Sequence, residues 1–93
     1  MCRNITELRG LEPPATPEEI DAAAWQFVRK ITGVTRPTGA TEIDMRAVAQ
    51  EIAHLTEHLL ERLPPRRQPP KTLPPLRRPE VRARLGLEPF ATT

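Results

Sequence analysis

Prolines set the limits within which this chain of 93 residues can fold. Proline lacks a backbone N–H and clashes with the preceding helical turn, so it is found at the ends of helices rather than inside them. Pro17 opens the first of two segments with periodic apolar residues, Pro37 lies between the segments, and Pro64-Pro65 closes the second. Beyond that point prolines recur every five residues up to Pro79, which predicts extended, polyproline-like chain rather than core.

The first periodic segment predicts a long helix with defined ends. Thr16 is a candidate N-cap, Pro17 occupies the first helical position, and Glu19 completes a capping box three residues after Thr16. Gly33 offers a left-handed stop. Apolar residues follow at spacings of four, three and four, which places them on one face. This stripe consists of Ile20, Ala24, Phe27 and Ile31, with Ala23 and Val28 on its flanks.

The second periodic segment predicts a helix that starts near Thr41, has Asp44 three residues further on, and ends before Pro64. Its apolar residues repeat at spacings of three, four, three and four, a pattern typical of helices that pack side by side. This stripe consists of Met45, Val48, Ile52, Leu55 and Leu59. The connection over residues 33–40 has an ordinary length for two antiparallel helices, so we expect the two stripes to face each other.

Two shorter segments have weaker helix signals. Asn4 and Glu7 resemble a capping box, which predicts one or two helical turns that end at Gly10. Near the C-terminus, Pro79 opens a segment that runs to Leu85, followed by a glycine stop. Because this second segment has few apolar residues, we expect it to need a surface on which to dock.

These elements predict an all-α fold: an antiparallel two-helix hairpin with a short N-terminal helix, followed by a proline-rich tail and a short C-terminal helix. We expect residues 1–63 to form the helical domain, and residues 64–93 to form a basic tail with a short helix near 79–85. The chain is small and has only three aromatic residues, so it buries a modest fraction of its surface. We therefore expect a homodimer formed through the apolar helix faces.

Charge is distributed unevenly along the chain. Residues 1–63 contain seven basic and ten acidic residues, whereas residues 64–93 contain seven basic and two acidic residues. A basic tail is typical of chains that bind an acidic protein surface or nucleic acid, although a solvated linker has the same composition. The candidate partner-binding residues in the tail are Arg66, Arg67, Lys71, Arg77 and Arg78.

Cys2 is the only cysteine, so an intramolecular disulfide is impossible. Removal of Met1 would leave Cys2 with a free amine and a thiol on adjacent carbons, a pair that attacks carbonyls and binds soft metals. The alternative is a small hydrophobic residue packed under the hairpin. The opening residues lack the apolar run of a secretion signal, and no segment has the apolar length of a membrane span, so we expect a cytoplasmic protein.

His54 and His58 stand four residues apart around Glu57, in the H-x-x-E-H order of inverted zinc proteases. Two histidines at this spacing lie on one helix face and can share a metal ion, with Cys2 or a nearby glutamate as a third ligand. However, His54 points about 130° away from the centre of the apolar stripe and His58 lies at its edge, which favours a solvated helix face over a metal site.

Trp25 lies off the apolar stripe of its helix, at about 140° from Ile20. An off-face tryptophan either packs against a second layer of the same chain or anchors a partner. Arg29, four residues further on, is a candidate for stacking on its ring.

Several motifs in order resemble a bacterial family of small uncharacterised proteins known only as a domain of unknown function. They are the opening MCRNI, PPAT at 13–16, EEI at 18–20 and QFVRK at 26–30, followed by Gly33 and Pro37. The resemblance covers residues 1–60 and implies that the MCRNI opening belongs to the domain, which draws attention to Cys2 and Asn4. It implies no activity, cofactor or catalytic residue, and the proline-rich tail departs from the Ala/Arg-rich tail of the family.

No complete catalytic set and no cofactor motif is recognisable in the sequence. We therefore favour a non-enzymatic protein-interaction or regulatory module over an enzyme. Two alternatives stay open: a nucleic-acid-associated protein that uses its basic tail, and a small thiol-dependent enzyme or metal site built on Cys2.

Overall fold

The computed structural model describes residues 6–66, 70 and 73–90. Within these ranges the chain forms helices and no strand, as predicted. In chain order they are α1 (Pro17–Thr32), α2 (Gly39–Arg62), a 3-10 turn (Pro75–Arg77) and α3 (Pro79–Arg84). Helices α1 and α2 form the hairpin. None of the described helices combines the length and the apolar character that a membrane span requires.

Helix α1 has the ends that the sequence predicts. The Glu19 backbone N–H donates to Thr16 Oγ1 at 3.2 Å, and the Thr16 backbone N–H donates to Glu19 Oε1 at 2.9 Å, which completes the capping box. At the other end, Gly33 has a φ of +71° and its N–H donates to the Arg29 carbonyl at 2.9 Å. Only glycine adopts this conformation without a steric penalty, so the helix stops there.

Helix α2 begins at Gly39 rather than near Thr41. Gly39 has a φ of +57°, a left-handed conformation through which the chain turns from the linker into the helix. The residue before it, Thr38, is extended, and its side chain makes no capping hydrogen bond. The helix ends at Arg62, one residue before the Leu63 that precedes the first tail proline, because the residue before a proline avoids helical conformation.

The core between the helices is built from small and medium-sized residues. Its buried members are Ile20, Ala24 and Val28 from α1, and Met45, Ala49 and Ala53 from α2. On each helix these residues recur every four positions, so each set forms one row along the helix surface. Alanine occupies half of the six positions, so the two backbones can approach each other closely.

The predicted contact stripe is half right on α1, where Ile20 and Ala24 are buried as expected, and mostly wrong on α2. Val28, expected on the flank of α1, is buried, whereas Phe27 is 44% exposed. On α2 only Met45 of the predicted stripe is buried, and Leu55 is 68% exposed. The facing surfaces are centred on alanines because bulky side chains would hold the helices further apart. The larger residues are displaced to one side of the contact.

The N-terminal segment does not form the predicted helix over the residues that the structure describes. Residues 6–8 have no regular secondary structure and residues 9–10 form a turn at Gly10, while Asn4 lies outside the described residues. The chain is nevertheless anchored next to this turn, because Leu11 is buried.

The predicted C-terminal helix is present as α3, and Gly86 follows it with a φ of +73°. The described part of the preceding stretch contains the 3-10 turn at Pro75–Arg77, whereas extended, polyproline-like chain was expected there. The expectation that this stretch stays outside the packed interior is wrong at Pro74 and Arg77, which are both buried. The 3-10 turn packs against α1 because the buried Arg77 side chain forms an ion pair with Glu19.

Candidate functional site

One side of the hairpin carries large apolar side chains that the core does not bury. We call it the apolar face and define it by Phe27, Ile31, Val48, Ile52, Leu55 and Leu59. Five of these residues are between 44% and 68% exposed, and Ile52 is half-buried. With 100° of rotation per residue, the four members on α2 lie within about 60° of one another, so they form a continuous stripe.

The two helices contribute to the same side of the hairpin. Phe27 of α1 and Ile52 of α2 line one open groove of about 640 Å³, together with Ala23, Leu60 and Leu8 of the N-terminal segment. The groove therefore connects Phe27 of α1 with Ile52 of the α2 stripe. A contiguous apolar surface of this kind is a candidate interaction site.

The opposite side of the hairpin is covered by a polar contact. The Arg46 guanidinium carbon lies 3.7 Å from the centroid of the Trp25 ring, a cation–π contact between α2 and α1. Arg46 also lies 3.7 Å from a carboxylate oxygen of Glu42. Trp25 is half-buried and packs against the core. The stacked cation is thus Arg46 rather than the expected Arg29, and Trp25 is engaged within the hairpin.

A buried ion pair joins the tail to the start of α1. Arg77 Nε donates to Glu19 Oε2 at 2.7 Å and its Nη2 donates to Glu19 Oε1 at 2.9 Å, and Nη2 also donates to the Pro14 carbonyl at 3.0 Å. The Phe90 ring covers the guanidinium, with its centroid 4.5 Å away. Arg77, expected to contact a partner, is directed inward by these contacts.

The charge of Glu19 is stabilised by the groups around it. Burial alone raises the pKa of the Glu19 carboxyl, but hydrogen bonds from Arg77 and from the Thr16 backbone, together with the Arg77 charge, outweigh burial and lower the pKa. Glu19 therefore performs two roles at once, as the capping residue of α1 and as the counter-ion of Arg77.

Other arginines of the tail also make contacts within the chain. Arg66 pairs with Glu7, Arg78 Nε donates to the Leu73 carbonyl at 2.8 Å, and Arg82 Nη1 donates to the Leu76 carbonyl at 2.7 Å. The other two predicted partner-binding residues of the tail, Arg67 and Lys71, lie outside the described residues. Much of the basic character of the described tail is thus directed at the protein itself.

His54 and His58 meet on the exposed surface of α2. Their Nε2 atoms are 3.2 Å apart, and His58 Nδ1 lies 3.8 Å from a carboxylate oxygen of Glu61. Glu57, the acidic residue of the H-x-x-E-H order, lines a different cavity, which it shares with Leu11 at the open end of the hairpin. The three residues of the H-x-x-E-H order therefore do not form one site, as they would in a zinc protease.

Over residues 6–66, 70 and 73–90, no three histidine, cysteine, aspartate or glutamate side chains converge in a way that would hold a metal ion. The weak candidate Cys2 lies outside the described residues, so its proposed roles as nucleophile or third ligand stay predictions.

A family model described as "Uncharacterized conserved protein (DUF2277)" matches residues 1–84. The chain belongs to this family. The match confirms the predicted family resemblance and extends beyond residue 60 to the end of α3. No curated protein and no solved structure matches the chain.

Sequence reasoning missed the most buried polar contact of this DUF2277 protein. The capping pattern at Thr16 predicts Glu19 as the capping partner of that residue, but it does not predict that Glu19 is also the counter-ion of Arg77. No sequence pattern indicates that Arg77, rather than its neighbour Arg78, is the buried arginine of the tail. The two partners are 58 positions apart, and no periodicity connects residues at that distance. The neighbours of Arg77, Pro74-Pro75 and Leu76, are the one signal that this turn packs against apolar surface.

Proposed function

We propose that this DUF2277 protein is a non-enzymatic protein-interaction module whose apolar face binds a second copy of the chain. The observation that carries the proposal is the exposure of Phe27, Val48 and Leu55 on one side of a closed hairpin. Removing apolar area from water contributes about 25 cal/mol per Å², so a helical partner that covers this face gains stability.

The spacing of the stripe on α2 favours a second copy as the partner. When two α2 helices lie antiparallel with Ile52 opposite Leu55 of the second copy, Val48 stands opposite Leu59 of that copy. Both pairings occur twice because of the two-fold symmetry, so every apolar residue of the stripe meets another apolar residue. A self-complementary surface of this kind is the requirement for an isologous dimer.

Charges beside the stripe support the same alignment. Asp44 and Arg62 are eighteen residues apart, which is about five full helical turns, so they point in the same direction from α2. Both are exposed. In the antiparallel alignment Asp44 of one copy lies beside Arg62 of the other, again twice. Such rim pairs contribute little affinity but select the alignment and the partner.

The test compares two substitutions on α2 by sedimentation equilibrium of the full chain. Leu55→Glu places a charge in the apolar stripe and is expected to give a monomer where the parent chain is a dimer at micromolar concentration. Ile43→Glu is the matched control, because Ile43 is 70% exposed but lies about 150° from the centre of the stripe. We expect Ile43→Glu to stay dimeric.

Two results would overturn the proposal. The parent chain could sediment as a monomer at all concentrations up to hundreds of micromolar, or Leu55→Glu and Ile43→Glu could dissociate equally. In the second case the association would use a surface other than the apolar face. Circular dichroism of both variants checks that the helices are retained.

A further inference from the structure

Among the described residues, the two histidines of α2 form a cluster of metal-ligating side chains that the proposed interaction does not use. His54 and His58 lie one helical turn apart, and their Nε2 atoms are 3.2 Å apart, within hydrogen-bond distance of each other. The rings are close to perpendicular, at 82°. The two Nε2 atoms are therefore neighbours on differently oriented rings.

That separation matches the spacing of two nitrogen ligands on one ion. Imidazole nitrogens bind zinc at about 2.0–2.1 Å, so two of them on one tetrahedral or square-planar ion lie about 2.9–3.4 Å apart. We propose that His54 and His58 form a chelating site for one divalent transition-metal ion. Little rearrangement of the side chains is needed to bind it.

The surroundings define the class of ion. Neutral imidazole suits zinc, nickel and copper, whereas magnesium and calcium require oxygen ligands. The Glu61 carboxylate lies 3.8 Å from His58 Nδ1, beyond hydrogen-bond distance, and adds negative charge beside the ring. Glu51 lines the same surface groove as His54 and adds negative charge. The site has two protein ligands, so water or a donor from another molecule completes the coordination.

The metal site lies at the edge of the apolar face. His54 points about 130° away from the centre of the apolar stripe, but Leu55 of the stripe lines the same surface groove as His54. The titration is therefore carried out on the Leu55→Glu variant as well as on the parent chain, so that binding by the monomer tests the chelate independently of the proposed dimer.

The first experiment titrates the full chain with nickel chloride in a calorimeter. Cys2→Ser is used as the parent background, because a thiol would bind nickel itself. We expect one ion per chain, and we expect His54→Gln and His58→Gln each to weaken binding at least about tenfold, since a chelate loses its advantage when either ligand is removed. Gln50→Ala, a change on an exposed neighbour of the same helix, should leave the affinity unchanged.

Histidines that do not chelate one ion would give a different titration. Two independent surface histidines would bind two ions weakly, and each single substitution would remove one ion without changing the affinity for the other. That outcome overturns the proposal. So does a titration in which neither histidine substitution changes the binding.

A second measurement locates the ion. Zinc chloride added to the ¹⁵N-labelled protein should shift the Nε2 resonances of His54 and His58 together, and magnesium chloride at the same concentration should shift neither. Shifts confined to one ring would show a monodentate site and would contradict chelation. This readout does not depend on the association of the chain.

Discussion

At the scale of single residues, Glu19 connects local and long-range structure. Its carboxylate accepts from the Thr16 backbone and from two nitrogens of Arg77. A buried arginine needs a counter-ion, because the cost of removing a charge from water is recovered only when it is paired and hydrogen-bonded. The first turn of α1 and the 3-10 turn of the tail are therefore linked through one side chain.

Replacement of Glu19 by glutamine tests this link. Glu19→Gln keeps a side chain that can complete the capping box but leaves Arg77 buried without a counter-ion, which we expect to lower the free energy of unfolding by about 3–5 kcal/mol. Glu18→Gln, on the exposed neighbour, should change it by less than about 0.5 kcal/mol. Urea unfolding followed by circular dichroism measures both. Equal effects of the two substitutions would show that the ion pair contributes nothing beyond helix capping.

The lowered pKa of Glu19 predicts an acid-sensitive fold. The carboxyl has a lower pKa in the folded chain than its ordinary value of 4.5, so the unfolded chain takes up the proton first as the pH falls. The stabilisation from Glu19 is complete above the ordinary value and is lost as the pH falls through the lower folded pKa. The stability difference between the parent chain and Glu19→Gln should thus be constant near neutral pH and shrink below about 4.5. A difference that stays constant down to the acid transition would contradict this.

At the scale of elements, the sequence determines helix ends better than helix orientation. The Thr16 capping box, the Gly33 stop and the closing prolines act on their immediate neighbours, so their signals were sufficient to place α1 and the end of α2. Of the predicted facing residues, Ile20, Ala24 and Met45 are buried, whereas Phe27, Val48 and Leu55 are replaced in the core by Val28, Ala49 and Ala53. Which of two adjacent rows of side chains faces the other helix depends on the distance between the two backbones. That distance is a property of the helix pair and cannot be predicted from the pattern of one helix.

The contribution of the alanine contact can be measured directly. Ala49→Leu adds bulk at a buried position of the core between the helices, and we expect it to lower the free energy of unfolding by about 1–3 kcal/mol. Ala47→Leu makes the same change at an exposed position of the same helix and should be close to neutral. Thermal unfolding of both variants gives the comparison. If Ala49→Leu were as well tolerated as Ala47→Leu, the helices would face each other through a different stripe.

At the scale of the whole molecule, opposite charges of body and tail are used within the chain. The acidic body supplies Glu7 and Glu19, and the basic tail supplies Arg66 and Arg77, so one ion pair joins the tail to the N-terminal segment and the other joins it to α1. The charge asymmetry along the sequence was interpreted as a signal for an external acidic partner. The composition cannot distinguish ion pairs within the chain from contacts with an external partner, because it does not show which charged residues are close in the folded structure.

The remaining charge asymmetry at the edge of the apolar face predicts how two copies align. Asp44→Arg creates two like-charge contacts in the antiparallel dimer, and Arg62→Asp does the same with the opposite sign, so each is expected to weaken dimerisation about tenfold at low salt. The double variant restores both opposite-charge contacts and should recover the affinity of the parent chain.

Sedimentation equilibrium at low and high salt separates this alignment from a general charge effect. The single variants should approach the parent affinity at high salt, because exposed charges are screened there. Asp21→Arg, on an exposed residue next to Trp25 on the opposite side of the hairpin, controls for net charge and should not change the dimer. If the double variant stayed as weak as either single variant, Asp44 and Arg62 would not meet across the interface. The two α2 helices would then associate in another register or in parallel.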